Sequence, residues 1–284
     1  EIPNSVSTIS SFAFGMSSLE EVSIPNSVTL IGEHAFESNM LSRAVISNSV
    51  TSISSGAFAN NKLIEVIIPD SAETIGAGAF RNNYITEITI PDSVIAIESS
   101  AFSGNNLAEL IIPDSVTSIG MSAFANNAIT EVSIPDSVDM IDLSSFRNNA
   151  LTELTIPESV ITIKNSAFEN NNLAELIIPD SIQFIGENAF KNNDLNSVSI
   201  GDSVETISEF AFENNKLGSI AIPDSVTSIG GYAFRNNNLT KAVIGDSIDI
   251  IPFGAFEGNK LEEVVYGNSI TNIGVGSFRN NRLV

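Results

Sequence analysis

The chain has 284 residues, a net charge of −22 and a hydrophobic fraction of 43%, and it contains no cysteine. So large a negative charge argues against binding to nucleic acid, because a phosphate backbone needs a cluster of Lys and Arg side chains. The absence of cysteine excludes disulfides and thiolate metal sites. No stretch approaches the roughly 18 consecutive apolar residues of a transmembrane helix, so direct membrane insertion is not expected.

A 22-residue unit repeats along the chain without insertion or deletion. The unit that begins at Ile112 reads IPDSVTSIGMSAFANNAITEVS, and isoleucine opens twelve such units, with Tyr266 opening a thirteenth. A fixed period of this length is typical of a solenoid in which each repeat forms one coil. We therefore predict one elongated domain over residues 1–284, about 60 Å long, with twelve full coils and a partial thirteenth. The chain is expected to be a fragment of a longer protein.

The first predicted element of each coil is a short parallel strand. The stretch before Pro113 reads L-A-E-L-I-I, with the spacing L-x-x-L-x-L. Leu110 and Ile112 alternate as the buried face of a strand does, which leaves Glu109 and Ile111 pointing outward. Pro113 lacks an amide hydrogen and ends the strand.

The rest of the coil is predicted to turn back towards the next strand. Asp114 is suited to accept a hydrogen bond within a turn. Val116 and Ile119 then supply a second apolar side, and the following GMSAF segment is too short for more than a tight or 3₁₀ turn.

Two columns of repeated side chains are predicted to be structural. A phenylalanine occurs in all thirteen copies and forms the expected core spine, represented by Phe102, Phe124 and Phe146. An asparagine occurs in twelve copies and is expected to satisfy backbone groups as a ladder, represented by Asn105, Asn127 and Asn149. An amide array for sugar recognition is the alternative for the asparagines.

A column of aspartates follows the predicted strands and includes Asp70, Asp92 and Asp114. Such a row could bind Ca²⁺, which prefers carboxylate and carbonyl oxygens. The same position is asparagine at Asn26 and Asn48, and both residue types cap turns. Turn capping is therefore favoured, no cofactor is expected, and calcium remains the alternative.

Two further charged columns differ in kind. The residue after the phenylalanine alternates in sign over seven coils: Arg147, Glu169, Lys191, Glu213, Arg235, Glu257 and Arg279. The outward strand position instead repeats one sign, which is destabilising across neighbouring strands. It is a candidate binding strip together with the variable outward position beside it: Glu65, Glu87, Glu109, Glu131, Glu153, Glu175, Ile67, Thr89, Ile111, Ser133, Thr155 and Ile177. A solvated strand face that uses glutamate for solubility is the alternative.

The spacing L-x-x-V-x-I-P-x-S-V-x-x-I-G-x-x-A-F resembles the BspA-like bacterial leucine-rich repeats over the whole chain. The chain departs from the general leucine-rich pattern by placing Ser after the strand and Asn before it. The resemblance implies a solenoid with one parallel strand per coil on a concave face and short strands or 3₁₀ turns on a convex face. It also implies an extracellular or surface-attached bacterial protein that binds macromolecules, often as an adhesin. A right-handed parallel β-helix is the alternative fold.

We predict a macromolecule-binding domain, with a protein or another basic macromolecule as its partner and the strip as its contact surface. A passive spacer that displays flanking domains is the alternative. An enzyme is not expected, because His34 is the single histidine and no cysteine can pair with it. Uncovered apolar residues in the last coil also predict end-to-end contacts between molecules.

Overall fold

The structure is a computed structural model that describes residues 2–284. The chain divides into two compact units, Glu1–Val138 (unit 1) and Asp139–Val284 (unit 2). Each unit is a stack of coils in which parallel strands pair residue i with residue i+22, as Arg43 pairs with Glu65 in unit 1 and Ser219 with Lys241 in unit 2. This register confirms the predicted leucine-rich-repeat solenoid, whereas the single domain over residues 1–284 stays a prediction.

Each coil has up to two strands. The first series occupies the predicted strand position and forms what we call the strand face, and a second series of two-residue strands follows about nine residues later in the coil. In unit 1 the strand-face strands are Arg43–Val45, Glu65–Ile67 and Glu131–Ser133. The two-residue strands are Thr8–Ile9, Leu30–Ile31, Ser52–Ile53, Thr74–Ile75, Ala96–Ile97 and Ser118–Ile119.

Unit 2 repeats this arrangement. Its strand-face strands are Glu153–Thr155, Glu175–Ile177, Ser197–Ser199, Ser219–Ile222, Lys241–Ile244 and Glu263–Tyr266. Its two-residue strands are Met140–Ile141, Thr162–Ile163, Phe184–Ile185, Thr206–Ile207, Ser228–Ile229, Ile250–Ile251 and Asn272–Ile273. Residues 2–284 contain no helix, and therefore none that is long and apolar enough to cross a membrane.

The interior of the coils is built from the repeated phenylalanines. Phe102 and Phe124 are fully buried, and their rings stack with centroids 5.6 Å apart at an interplanar angle of 4°. In unit 2, Phe146 is also fully buried and stacks on Phe168 at 5.6 Å. Ala123, the residue before Phe124, has no exposed surface, which explains why that position holds only small side chains.

The repeated asparagines bind backbone groups beside this spine. The Oδ1 atom of Asn105 accepts a hydrogen bond from the N–H of Ile85 at 3.1 Å. Its Nδ2 donates to the phenylalanine carbonyls of its own and the preceding coil, at 2.9 and 3.0 Å. Asn127 and Asn149 donate to the phenylalanine carbonyl of their own coils at 3.1 and 3.0 Å. These contacts engage the amides inside the molecule, which favours a structural role over sugar recognition.

The segment around each phenylalanine is a pair of tight turns, as expected: the N–H groups of Ala123 and Ala125 donate to the carbonyls of Gly120 and Ser122, both at 3.1 Å, and no residue between 2 and 284 is in a 3₁₀ helix. Two residues per coil have left-handed backbone, as at Ser122 (φ 56°) and Asn126 (φ 58°). Within the same segment, the N–H groups of Ser100 and Phe102 donate to carbonyls of the next coil, both at 2.8 Å. The segment therefore adds a further set of coil-to-coil hydrogen bonds, and asparagine suits it because asparagine tolerates φ > 0.

One glycine is required by close approach of neighbouring coils. A Cβ atom at Gly120 would lie 2.6 Å from the backbone nitrogen of Ser99 in the preceding coil. A side chain at Gly120 would force this backbone contact to shift, which gives Gly120 a packing role, whereas the preceding coil carries Glu98 at the same position.

Candidate binding surface on the strand face

Backbone alternation places the candidate strip on the outside of the coils. Leu110 and Ile112 are 7% and 6% exposed, whereas Ile111 between them is 82% exposed. Glu109 is exposed as well. This is the expected result of a period of two, which turns alternate side chains to opposite faces.

All members of the predicted strip in unit 1 are exposed on the strand face. They form two rows that run along the stack of coils. The acidic row is Glu65, Glu87, Glu109 and Glu131, and the mixed row is Ile67, Thr89, Ile111 and Ser133. In unit 2 the exposed members are Glu153, Glu175, Thr155 and Ile177, and the next coil there carries Ser197 and Ser199 in the two rows.

The strand face of unit 1 is not a continuous sheet. The strand Arg43–Val45 pairs with Glu65–Ile67, but residues 87–89 and 109–111 are not strands, although their sequence has the same spacing. The one paired step places a cation opposite a carboxylate, and like charges directly opposite across neighbouring strands are unfavourable. Residues 21–23 hold the same position and are not a strand either, so three coils of unit 1 lack the strand-face strand within a solenoid that is otherwise as predicted.

A groove follows the interrupted part of the strand face. It has a volume of about 610 Å³ and is lined by residues of the Glu65, Glu87 and Glu109 coils, including Ile67, Ile111 and Asp92. A second groove of about 380 Å³ continues along Glu109 to Pro135 and includes Asp114 and Glu131. Neither lining contains a lysine or an arginine.

The carboxylates of the acidic row in unit 1 differ in their partners. Glu65 is held by Arg43, with Arg43 Nε 3.0 Å from Oε2 and Nη2 3.1 Å from Oε1. Within residues 2–284, Glu87, Glu109 and Glu131 have no ion pair. Within the acidic row, the charge available to a ligand therefore lies at these three residues, and Glu65 is already paired.

Sequence reasoning missed the part of the aspartate column that lines the grooves. Asp92 and Asp114 lie at the groove edges, although their position was predicted to cap turns, with calcium binding as the alternative. In unit 2 two aspartate side chains link neighbouring coils instead, since the Oδ1 atoms of Asp180 and Asp224 accept the N–H of the equivalent aspartate one coil later at 2.9 and 2.8 Å. The signal that could have found the groove edge is the position of these aspartates two residues after the last buried residue of the strand position, Ile90 and Ile112.

The alternating charge column lies elsewhere in the coil and forms ion pairs within unit 2. Glu213 lies 2.8 Å from Lys191 Nζ and 3.5 Å from Arg235 Nη1. Arg147 Nε lies 3.1 Å from Glu169 Oε2. Successive members of this column therefore neutralise one another, whereas Glu87, Glu109 and Glu131 of the acidic row have no cation beside them in the described part of the chain.

The remaining candidates for chemistry are weak. Nδ1 of His34 lies 2.9 Å from Glu37 Oε2, and its ring stacks on Phe12 with centroids 4.9 Å apart. Across residues 2–284, no three His, Asp or Glu side chains are grouped so that they could hold a metal ion. The exposed rows and the two grooves of the strand face are therefore the remaining candidate site in unit 1.

Comparison with known families identifies the repeat. The family described as BspA type Leucine rich repeat region (6 copies) matches residues 1–85, 73–196 and 183–284. No match is found among curated protein sequences.

Solved structures with the same fold come from bacteria. A leucine-rich repeat protein from Bacteroides ovatus is 26% identical, with a TM-score of 0.71 over 97% of this chain and 68% of that one. A leucine rich cell surface protein from Faecalibacterium prausnitzii is 26% identical, with a TM-score of 0.56 over 93% of this chain and 84% of that one. The pneumococcal vaccine antigen PcpA is 22% identical, with a TM-score of 0.62 over 98% and 74% of the two chains, and it supports the fold alone.

Proposed function

Because the chain belongs to the BspA type leucine-rich repeat family, we propose that it binds a basic protein partner through the strand face of unit 1. Leucine-rich repeat proteins generally bind other proteins. The observation that carries the proposal is the groove lined by Glu87 and Glu109 beside the exposed Ile111, with no cation in its lining. Fields of one sign attract partners of the opposite sign and raise association rates.

We further propose that the domain acts at the surface of a bacterium or is secreted. The similar protein from Faecalibacterium prausnitzii is described as a leucine rich cell surface protein, and the family resemblance points the same way. An adhesive role fits an exposed domain that presents an acidic surface with isoleucines among its charges. Membership of a family of repeat proteins supports binding over enzymatic activity.

The test compares two triple variants of equal charge. Glu87, Glu109 and Glu131 are changed to Gln in the first variant, which removes the unpaired carboxylates of the acidic row in unit 1. Glu20, Glu33 and Glu73 are changed to Gln in the control variant; all three are exposed in unit 1 and line neither groove. Binding of a lysine-rich peptide is measured by fluorescence anisotropy at 0.05 and 0.3 M salt, and thermal melts confirm that both variants fold.

The proposal predicts that the strand-face variant loses about tenfold in affinity, since three exposed charge contacts contribute roughly 0.5 kcal/mol each. The control variant should bind within about twofold of wild type, and salt should weaken binding to both. An equal loss of affinity in the two variants would show that the acidic row acts only through the net charge of the protein. The domain would then be better described as a passive spacer that displays flanking domains.

A further inference from the structure

The spacing of the coils distinguishes between ligand conformations. Successive members of the acidic row are one coil apart, about 4.8 Å for parallel strands, so Glu65 and Glu131 are about 14 Å apart. An α-helix places neighbours on one face about 4.5 or 6.0 Å apart along its axis, at i+3 and i+4. An extended chain repeats one face about every 6.6 Å. A helix laid along the stack therefore stays in step with the glutamates to within about 2 Å over three coils, whereas an extended chain drifts by about 5 Å.

The mixed row carries a second spacing. Its apolar members Ile67 and Ile111 are 43% and 82% exposed, and the hydroxyl residue Thr89 lies between them. The two isoleucines are two coils apart, about 9.6 Å along the stack. Residues i and i+7 of an α-helix are about 10.5 Å apart. One apolar side chain in every seven would therefore meet an isoleucine on the strand face.

The two rows lie side by side. Glu109 and Ile111 are two residues apart in the same coil, about 6.6 Å across the stack if the backbone is extended. A helix with its side chains is about 10 Å wide, so one helix covers both rows. Its stripe of basic side chains would lie over the glutamates, and its apolar residues would lie over the isoleucines.

From these spacings we propose that the partner of this surface is a basic amphipathic helix lying along the stack of coils, with apolar residues seven apart. The inference rests on the proposed function and names the conformation of its partner. A second copy of this chain is a poor occupant, because the chain has 12 Lys and Arg against 34 Asp and Glu and residues 2–284 contain no helix. An extended basic peptide would satisfy the charge of the acidic row but would lose register with it after two coils.

Three synthetic peptides of identical composition provide the test. The first has two leucines seven residues apart and lysines at three- and four-residue spacing beside them, flanked by alanine and two terminal prolines. The second has the same residues with the lysines spread around the helix. The third has the first sequence with the two prolines moved to its centre, which prevents a helix. Binding is measured by fluorescence anisotropy and induced helicity by circular dichroism, at constant salt.

The matched protein variant changes Ile67 and Ile111 to Ser, the residue that the same row holds at Ser133. The proposal predicts that the first peptide becomes helical on binding and binds at least tenfold tighter than the other two. The double Ser variant should lower the affinity for the first peptide about fivefold and leave that for the third unchanged. The variant with Gln at Glu87, Glu109 and Glu131 should weaken all three.

The outcomes separate this inference from the proposed function. If all three peptides bind with similar affinity and only the Gln variant weakens them, the surface binds basic segments without a preference for helices, and the inference is wrong while the function stands. Tighter binding of the proline-centred peptide would indicate an extended partner and also overturn the inference. If none of the peptides binds wild type, both proposals fail.

Discussion

Arg43 and Glu65 form a two-point ion pair on the strand face, with N–O distances of 3.0 and 3.1 Å. The pair lies at the end of the acidic row and at the only strand-face step of unit 1 where two described strands pair. It removes Glu65 from the charge that a ligand can reach. The position of Arg43 therefore limits the length of the acidic surface on this side.

Replacing Arg43 by Ser should lengthen the binding surface. The Ser variant leaves Glu65 without a partner, so affinity for a lysine-rich peptide should rise about two- to fivefold, equivalent to roughly 0.4–1 kcal/mol. The free energy of unfolding should change by less than about 1 kcal/mol, because both side chains are more than half exposed. Lys241→Ser, which frees Glu263 in unit 2, is the control and should leave affinity unchanged. A fall in affinity after Arg43→Ser would contradict the proposed surface.

Phe102→Ala should be among the most destabilising substitutions in unit 1. Its ring is fully buried and stacks on Phe80 at 5.5 Å and Phe124 at 5.6 Å. A phenylalanine-to-alanine change in a core typically costs about 3–5 kcal/mol of unfolding free energy. Ile111→Ala is the control and should cost under about 0.5 kcal/mol, since that side chain is 82% exposed. Urea unfolding followed by circular dichroism measures both, and similar losses would show that the stacked rings are not the core.

Substitutions of the adjacent residues Asn82 and Asn83 should differ strongly in their effect on stability. Asn83 is 3% exposed, accepts the N–H of Leu63 at 3.0 Å and donates to two phenylalanine carbonyls at 2.9 and 3.0 Å. Asn83→Ala leaves buried backbone groups unpaired, at about 1–3 kcal/mol for each. Asn82 has φ 55° and an exposed side chain, so Asn82→Gly should be nearly neutral.

Thermal unfolding of the two asparagine variants provides the comparison. Gly104 already occupies the position of Asn82 one coil later, at φ 71°, which makes the glycine variant a fair control. Comparable melting temperatures for Asn83→Ala and wild type would show that the buried amide ladder contributes little to stability.

Glu213→Lys should destabilise unit 2 in a way that salt only partly corrects. The new lysine would lie between Lys191 and Arg235, which now contact Glu213 at 2.8 and 3.5 Å. At 1 M salt the screening length falls to about 3 Å, but buried charges are screened less than exposed ones. The Glu213 side chain is 6% exposed, whereas that of Glu263, which pairs with Lys241, is 56% exposed. Denaturant unfolding of Glu263→Lys should therefore recover in high salt, and full recovery of Glu213→Lys would contradict the ion-pair column.

The fold was predictable because one number, the 22-residue period, sets the strand register throughout each unit. Once residue i lies beside residue i+22, alternation decides that Leu110 is buried and Ile111 exposed. The Phe and Asn columns follow from the same register. The contribution of the Phe and Asn columns to stability could be predicted because each buried side chain packs against the equivalent side chain of the neighbouring coils.

Other features depend on details that the repeat does not encode. Phe210 and Tyr232 adopt φ 58° and 59°, although bulky residues rarely do so. Their rings stack 5.3 Å apart, and a cation lies over each ring at 4.9 Å, contacts that offset the backbone cost. The absence of strands at 21–23, 87–89 and 109–111 could not be predicted either, because the local spacing is the same there as in the paired coils. The ion pair between Arg43 and Glu65 depends on side-chain geometry, which the repeat pattern of the sequence does not specify.

The most direct test of the central claim is amide hydrogen exchange of the protein with and without the helical lysine-rich peptide, read by mass spectrometry. Bound peptide should slow amide exchange in residues 87–90 and 109–112, where the strand ladder of unit 1 is interrupted and backbone amides are open to protection. The turn segments at 98–104 and 120–126, which lie in another part of the coil, should exchange unchanged. Protection confined to those turns, or binding that leaves the strand face unprotected, would contradict the account.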